Sequence, residues 1–600
     1  MATPRSKTAP ISAASADRTD RHEAPAPAPA RAGAPNAAFV YAGGNYNTQQ
    51  QKLMGRMSAS ESFLKGFARH SGVERFYCYA LRPQDLEDFT RRVQEIAGAD
   101  RPVTPVPPLD LTLAGEPGTL YRPGPNIGYF AWQRRGLGQR RFSLCGVTHT
   151  TAEHVVMDGI AEAVLGPTQA WDALVCTSSQ VRAMVERLVE EWSHYLASRF
   201  GAKGGGGGAG SGKGGPSRFK LPLIPLGVDC DAFAPTPERR REGQALRQAL
   251  GIAPEDVVVL FVGRLTHIEK ANPLPMYLAL EASSKRTKTK LHLLQAGWYA
   301  APEIEKIFTA AAARLMPSVR YHHVDAREPQ YRWSAWHAGD IFTSLSDNIQ
   351  ETFGLTPIEA QAAGLPVVVS DWDGYRDTVK AGEVGFMAPT FMPPPGTGAD
   401  LALRYASAVD GYGRYCMSTA QSIAVDVAAC ASAYLKLIED ESLRRRMGEA
   451  GLAQARARFD WRVVVGAYQA LWQELAEIRQ SAEEIVPPEP GRAVHPLRDD
   501  PFSLFSTYPT GFIDGDTMAA ATPGGSRARL AALRATPLAA MMPSLLLPEP
   551  ELAALMESLA KAPATVETIL AAAPEPQRNR VRRSLGWLAK VGLVRLGRKG

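Results

Sequence analysis

The chain predicts an α/β protein of two Rossmann-like, doubly wound halves followed by a small helical unit, and three observations carry that reading. From about residue 36, short β-branched runs alternate with helical patterns, the signature of βαβ units and a parallel sheet. After about residue 228 the pattern restarts, which implies a second sheet. Past a Pro- and Gly-rich stretch, the last segment has helical periodicity and one short terminal strand. A length of 600 residues suits three or four units, each large enough to bury a core.

Taken in order, residues 1–35 are rich in Ala, Pro, Ser and Thr and cannot bury enough apolar surface to order, so they read as a disordered tail. Residues 36–228 form the N-terminal half, with the strand-like runs AAFVYAGG, RFYCYAL, RFSLCGVTHT, WDALVCTSS and FKLPLIPLGVD. Inside it, residues 203–218 (KGGGGGAGSGKGGPSR) have the composition of a flexible loop. This stretch mimics a Walker loop, but Lys213 is followed by Gly214 rather than Ser or Thr, with no strand before it and no helix after it. Residues 229–486 form the second half, with VVVLFVGRL, KLHLLQAGW, VRYHHVDA, DIFTSLSD and LPVVVSD. It closes on a helix from Trp461, whose Val464, Tyr468, Leu471, Trp472, Leu475 and Ile478 repeat at steps of three and four and need a surface to dock on. Residues 487–544 read as a linker. In 545–600, helices are expected at 549–560, from 565 and over 575–590, before a strand GLVRLG.

Composition excludes several classes. The six cysteines are scattered without a C-x-x-C pair, which argues against a disulfide scaffold, a structural zinc and a redox pair. No apolar run approaches the length of a membrane-spanning helix and the amino terminus lacks a secretory apolar core, so a cytoplasmic protein is expected, or one peripheral at the inner membrane surface. The net charge of +6 is uneven: residues 1–35 carry +2 and the last 26 carry +7, leaving 36–574 slightly acidic. The basic character belongs to the ends.

The most informative segment is DIFTSLSDNIQETFGLTPIEAQAAGLPVVVSDWDGYRD, residues 340–377. A strand ends near Leu345, a polar loop carries Glu351, Gly354 sits at a turn, and Thr356-Pro357-Ile358-Glu359 reads as a capping box with proline at the first helical position. Such a helix start suits a phosphate, because its first N–H groups are unpaired and the dipole is positive there. Thr-x-x-Glu is also simply a cap. The functional reading gains from Glu351 and Glu359, which flank the same turn and could accept from sugar or ribose hydroxyls. Upstream, Gly263, Arg264 and Lys270 follow a buried-type strand, where two cations suit a diphosphate or line a solvated loop.

Together these pieces resemble the retaining nucleotide-sugar glycosyltransferases of family 4 (group 1), over about residues 37–480. The matching residues are the pair Glu351 and Glu359 followed by AQAAGLPVVVSD, the GRL loop with its later lysine, LIPLGVDCDAF between the halves, and FDW before the last helix. The resemblance implies the glycosyltransferase-B architecture, with an N-terminal acceptor domain, a C-terminal donor domain and a final helix that returns to the N-terminal one. It implies that Glu351 contacts the donor sugar and Glu359 the ribose, with Arg264 and Lys270 on the diphosphate and Gly263, Gly354, Leu355 and Thr356 completing the phosphate site. Lys270 stands one residue further from Arg264 than in that family. It further implies a hexosyltransferase of polysaccharide biosynthesis, with a nucleotide-sugar donor, a saccharide, lipid-linked or other hydroxyl acceptor, no cofactor and no essential metal.

In the N-terminal half, Gly43 and Gly44 follow the first strand, either as a tight turn or as a place where backbone approaches a ligand. His149 closes FSLCGVTHT; in relatives a histidine there faces donor and acceptor, whereas a lone histidine is commonly structural. Asp229-x-Asp231, Asp371-x-Asp373 and Asp514-x-Asp516 match the metal motif of a different glycosyltransferase fold and are read as chance. Trp372 and Tyr375 are candidates for stacking on a sugar or for plain packing. Residues 545–600 resemble a winged-helix module whose third helix sets Arg583 and Lys590 opposite Val581, Leu585 and Leu588. That cationic segment suits an acidic protein or an anionic surface; nucleic acid is a further but less favoured partner, for want of a readout set beside the arginines. The alternative function is a nucleic-acid-binding or scaffolding protein with a non-catalytic sugar-nucleotide fold.

Overall fold

The computed structural model describes residues 33–45, 55–201, 219–539 and 542–598. Residues 1–32 of the expected tail and the Gly-rich loop 203–218 lie outside the described residues. The chain divides into two compact units, one ending at Arg492 and one beginning at Ala493.

The first unit holds two parallel six-stranded sheets. Strands β1 (Ala38–Tyr41), β2 (Phe76–Ala80), β3 (Val103–Val106), β4 (Thr119–Arg122), β5 (Ser143–Val147) and β6 (Ala173–Val175) run in the order β3-β2-β1-β4-β5-β6. Strands β7 (Val257–Val262), β8 (Leu291–Ala296), β9 (Arg320–Val324), β10 (Ile341–Ser344), β11 (Val367–Ser370) and β12 (Gly385–Ala388) run β12-β11-β10-β7-β8-β9. Each sheet starts at its centre and reverses once, which is the doubly wound order and leaves a crevice at the carboxyl ends of its middle strands. The first unit thus holds the two Rossmann-like sheets expected from the sequence. The long buried runs are read correctly from sequence because parallel strands covered on both faces are continuously apolar: Val257, Val258, Val259 and Leu260 are all buried.

Three strands go beyond the sequence reading. β3 contains Pro105 and survives because it lies at a sheet edge, where a missing N–H costs no ladder bond. β4 (TLYR) and β12 (GFMA) lack the continuous β-branched run that announces strands of the same length such as VVVS. Conversely, the expected strand FKLPLIPLGVD is not one. Pro222 and Pro225 remove donors, and the segment makes only isolated bridges, Lys220 to Ala173, Leu223 to Cys176 and Val228 to Asp460.

The helix Trp461–Ser481 packs on the N-terminal half. Its Trp461, Val464, Tyr468, Leu471, Trp472 and Leu475 share one core with Phe39, Phe63 and Phe67. Ile478 lies only half-buried, and the neighbouring Arg479 is buried instead. Its guanidinium donates to the Gly118 carbonyl (2.5 Å) and the Ser143 hydroxyl (2.7 Å), and burial pulls its pKa down to about 10.

Between β12 and the helix Val427–Glu439, a short antiparallel ladder of β13 (Thr390–Phe391) and β14 (Ala424–Val425) brackets two helices, Ala399–Ala406 and Tyr412–Ala420. Among the described residues no helix is long and apolar enough to cross a membrane.

The second unit corrects the linker reading. Within 487–544 lie β15 (Thr517–Ala521) and the helix Arg527–Arg534. β15 is the central strand of an antiparallel sheet with β16 (Ala564–Thr565) and β17 (Val594–Arg598). Its Ala519 and the helix residue Leu530 join Leu552, Met556, Leu585 and Leu588 in one core. The Ala-rich strand has little β propensity of its own, which hid it.

Candidate active site

The sequence-predicted residues of the second half converge at the carboxyl ends of β7 and β10. After β7, Gly263 has a φ of +149°, and a Cβ on Gly297 would lie 1.8 Å from the Gly263 carbonyl oxygen, so these two loops meet backbone to backbone. Arg264 and Lys270 line a common small cavity with Asn272 and Leu345. The Arg264 guanidinium pairs with Glu269 at 2.5 Å, and Lys270 Nζ lies 3.6 Å from Glu351 Oε2.

This loop is held against the one after β10 by residues that sequence reasoning missed. Asn348 donates from Nδ2 to the Ile268 carbonyl (3.1 Å), its side-chain oxygen accepts from the Gln350 N–H (3.0 Å), and its carbonyl accepts from Trp372 Nε1 (3.1 Å). Asp347 accepts from the Asn272 N–H at 3.2 Å, and burial pushes its carboxyl up to about 7. Asn348 is fully buried. The only sequence signal was a pair of polar residues, Asp347 and Asn348, directly after a buried strand.

The helix carrying the second glutamate starts two residues before the expected position. It spans Leu355–Ala362, with Gly354 as its N-cap at φ +80° and no side-chain cap. Thr356 therefore lies within the first turn and does not form the expected capping box. Gly354 is required here twice over: L-residues avoid that φ, and a Cβ would stand 2.0 Å from Tyr375 Cε1. Tyr375 itself is buried, with its hydroxyl 2.7 Å from Ser344 Oγ, so it packs the turn and does not face a sugar. The uncapped turn leaves the Leu355 and Thr356 N–H groups without intrahelical partners. Glu359 has no hydrogen-bond or ion-pair partner for its carboxyl among the described residues, and burial pushes it up to about 7.

Across the cleft, His149 follows β5, half-buried, and its backbone carbonyl accepts from the Thr352 hydroxyl. Four further contacts join the halves. Ser178 Oγ donates to Asp373 Oδ1 (3.2 Å); the Ser179 N–H (2.5 Å) and hydroxyl (2.8 Å) donate to Asp377. The Tyr405 hydroxyl accepts from the His154 N–H (3.2 Å) while its ring stacks on the His154 imidazole at 3.6 Å, and Thr150 meets Tyr412 at 3.4 Å. Asp373 sits at φ +39°, unusual for a non-glycine, and burial together with the nearby Glu351 charge raises its carboxyl to about 7.

The remaining sequence candidates lie elsewhere in the fold. Gly43 lies in a 3₁₀ turn after β1 with its N–H donated to Asp85 Oδ1 at 2.9 Å, whereas Gly44 borders open space. Neither is brought to Glu351 by any described contact. Asp371 pairs with Arg376 (2.8 Å) while Asp373 turns to Ser178, so those two carboxylates of one D-x-D have different partners. Asp229 pairs with Arg69 and Asp231 with Arg462.

Residues 243–393 match the family model described as "Glycosyl transferases group 1". Among curated relatives, a D-inositol 3-phosphate glycosyltransferase of Geodermatophilus obscurus is 32% identical over 28% of this chain and 36% of its own length. A phosphatidyl-myo-inositol mannosyltransferase of Mycobacterium tuberculosis is 28% identical over 42% of this chain and 54% of its own length. The chain thus spans about half, or less, of the length of these relatives. Among solved structures, Anabaena Alr3699/HepE in complex with UDP aligns over 73% of this chain and 100% of that chain, with 16% identity and a TM-score of 0.46. The matched segment, similar to the group 1 glycosyl transferases, contains Gly263, Arg264, Lys270, Glu351, Gly354 and Glu359 in one βα-loop cluster.

Proposed function

We propose that the protein transfers a sugar from a nucleotide-diphosphate donor to a hydroxyl acceptor, with retention at the anomeric carbon and without an essential metal. The observation that carries this is the Lys270–Glu351 pair beside Arg264 at the carboxyl ends of β7 and β10, next to the uncapped turn at Gly354. Arg264 and Lys270 supply charge for the diphosphate, and the Leu355 and Thr356 N–H groups supply donors. In this reading Glu351 contacts the donor sugar and Glu359 the ribose. In the reaction the anomeric C–O bond to the diphosphate breaks, the acceptor oxygen bonds to the same face of that carbon, and the acceptor proton passes to the leaving phosphate oxygen. Rate enhancement comes from stabilising the departing diphosphate and orienting the acceptor beside His149.

The two relatives whose names specify inositol-bearing substrates make inositol phosphates and phosphoinositides sensible first acceptors to assay, beside saccharides and lipid-linked sugars. A thermal-shift series with UDP, GDP and ADP sugars selects the donor, since a ligand that binds the folded form raises its midpoint. With that donor, Arg264→Ala is expected to lower turnover by about 100-fold or more with an unchanged circular dichroism spectrum. Full activity in Arg264→Ala, or its unfolding, overturns the assignment. No midpoint shift with any nucleotide sugar, together with salt-sensitive DNA binding, would favour the non-catalytic alternative.

A further inference from the structure

We propose that the C-terminal unit carries a docking surface for an anionic lipid bilayer, built from an exposed apolar stretch and the cationic face of one helix. This goes beyond the transfer reading and does not rest on it.

Residues 501–512, PFSLFSTYPTGF, contain no charged side chain. Phe502, Leu504, Phe505, Tyr508 and Phe512 are each at least 45% exposed, and Leu497 just upstream is 72% exposed. The Phe505 and Tyr508 rings lie 5.2 Å apart, so part of the stretch already clusters. One such residue on a surface is ordinary, but five within eleven positions make a patch that water penalises.

The stretch ends on the cationic helix. Ile513, its next residue, packs against Gly586 of the helix Arg578–Lys590, where a Cβ on Gly586 would come within 3.2 Å of Ile513 Cδ1. Helical spacing places Arg582 and Arg583 one turn before Gly586 and Lys590 one turn after it, on the same face. The opposite face, Val581, Leu585 and Leu588, is buried in the unit's core, so the helix cannot turn those cations inward. Arg582, Arg583 and Lys590 are exposed, and none has an acidic partner among the described residues. Apolar and cationic groups thus meet along one line.

A bilayer interface is the partner that uses both. Aromatic and aliphatic side chains enter the headgroup boundary while arginine and lysine reach anionic headgroups, and a lasting surface attachment takes two such signals because one alone is marginal. A nucleic-acid duplex would use the cations and leave the apolar stretch in water.

The test is sedimentation of the full chain with vesicles of phosphatidylcholine alone and of phosphatidylcholine containing phosphatidylglycerol, with no donor or acceptor present. Binding is expected to the anionic vesicles only, to weaken with salt, and to fall by about tenfold or more in Arg582→Glu/Arg583→Glu and, separately, in Phe502→Ser/Phe505→Ser. These positions are exposed, so the thermal midpoint should stay unchanged. Should a variant misfold, Phe505→Trp gives a second readout, a blue shift of its emission on anionic vesicles. The proposal is overturned by no binding, by equal binding to neutral vesicles, by loss in neither variant, or by binding to duplex DNA with the arginine variant losing it and no binding to vesicles.

Discussion

The hydroxyl of Thr352 donates to the backbone carbonyl of His149, joining the loop after β10 to the loop after β5 at the point where the two sheets meet. Thr352 follows Glu351 directly, so this bond fixes the distance from the pair Lys270–Glu351 to the N-terminal half. Thr352→Val removes the donor and keeps the shape. A net hydrogen bond is worth about 1 kcal/mol, so transfer should fall by up to about tenfold, while Thr352→Ser, which keeps the hydroxyl, restores it. Equal turnover in all three forms would mean that the bond has no part in closing the site.

Gly354 turns the chain from Glu351 into the helix of Glu359. Alanine there combines a φ of +80° with a contact 2.0 Å from the buried Tyr375 ring. Gly354→Ala should lose roughly 1–3 kcal/mol in urea unfolding, and transfer should drop further than that loss explains, because the N–H groups of Leu355 and Thr356 move with the turn. A variant of native stability and activity would show that the turn relaxes freely.

The parts of this architecture that were legible in the sequence are the local ones. VVVLFV and PVVVS announce buried parallel strands because both faces are covered, and Glu351, Gly354 and Glu359 sit close enough in sequence to be read together. Thr356 misled because the T-x-x-E pattern describes a cap, whereas the glycine before it adopts the cap position through backbone conformation alone. The cross-cleft contacts were illegible for a different reason. Ser178 and Asp373 are 195 residues apart, and neither carries a pattern that names the other; only the meeting of two complete sheets brings them together. β15 was hidden likewise, since an alanine-rich strand becomes one only when β16 and β17 close around it.

Glu359 makes the protein's stability depend on pH in a defined direction. Burial raises its carboxyl from 4.5 to about 7, so the folded state favours the protonated form. That contribution is complete below about 4.5 and is lost as pH rises through about 7. Asp373 shifts in the same sense, from 3.8 to about 7. Glu359→Gln holds the neutral form at every pH, so its midpoint relative to the parent should rise between pH about 5 and about 8. Thermal melts across that range check it; a constant difference would mean that Glu359 ionises as freely folded as unfolded.

Arg134 and Asp172 form a bidentate pair at 2.6 and 2.7 Å, both fully buried beside β5 and β6. Asp172 also accepts from the Leu144 N–H (2.8 Å) and the Gln169 N–H (2.7 Å), and Arg134 donates to the Phe142 carbonyl (2.8 Å). These bonds order the amino-terminal ends of β5 and β6, while Arg134 Nε is buried without a hydrogen-bond partner among the described residues. Removing one partner leaves a buried charge without compensation, so Asp172→Ala should cost about 3–5 kcal/mol in urea unfolding. Replacing both charges by apolar residues, Arg134→Met with Asp172→Leu, should recover part of that loss, because the desolvation cost disappears with the pair. It should not recover all of it, since the Leu144 and Gln169 N–H groups then lose their acceptor. A single variant as stable as the parent would indicate that water reaches Arg134 and that the pair is not sealed in the core.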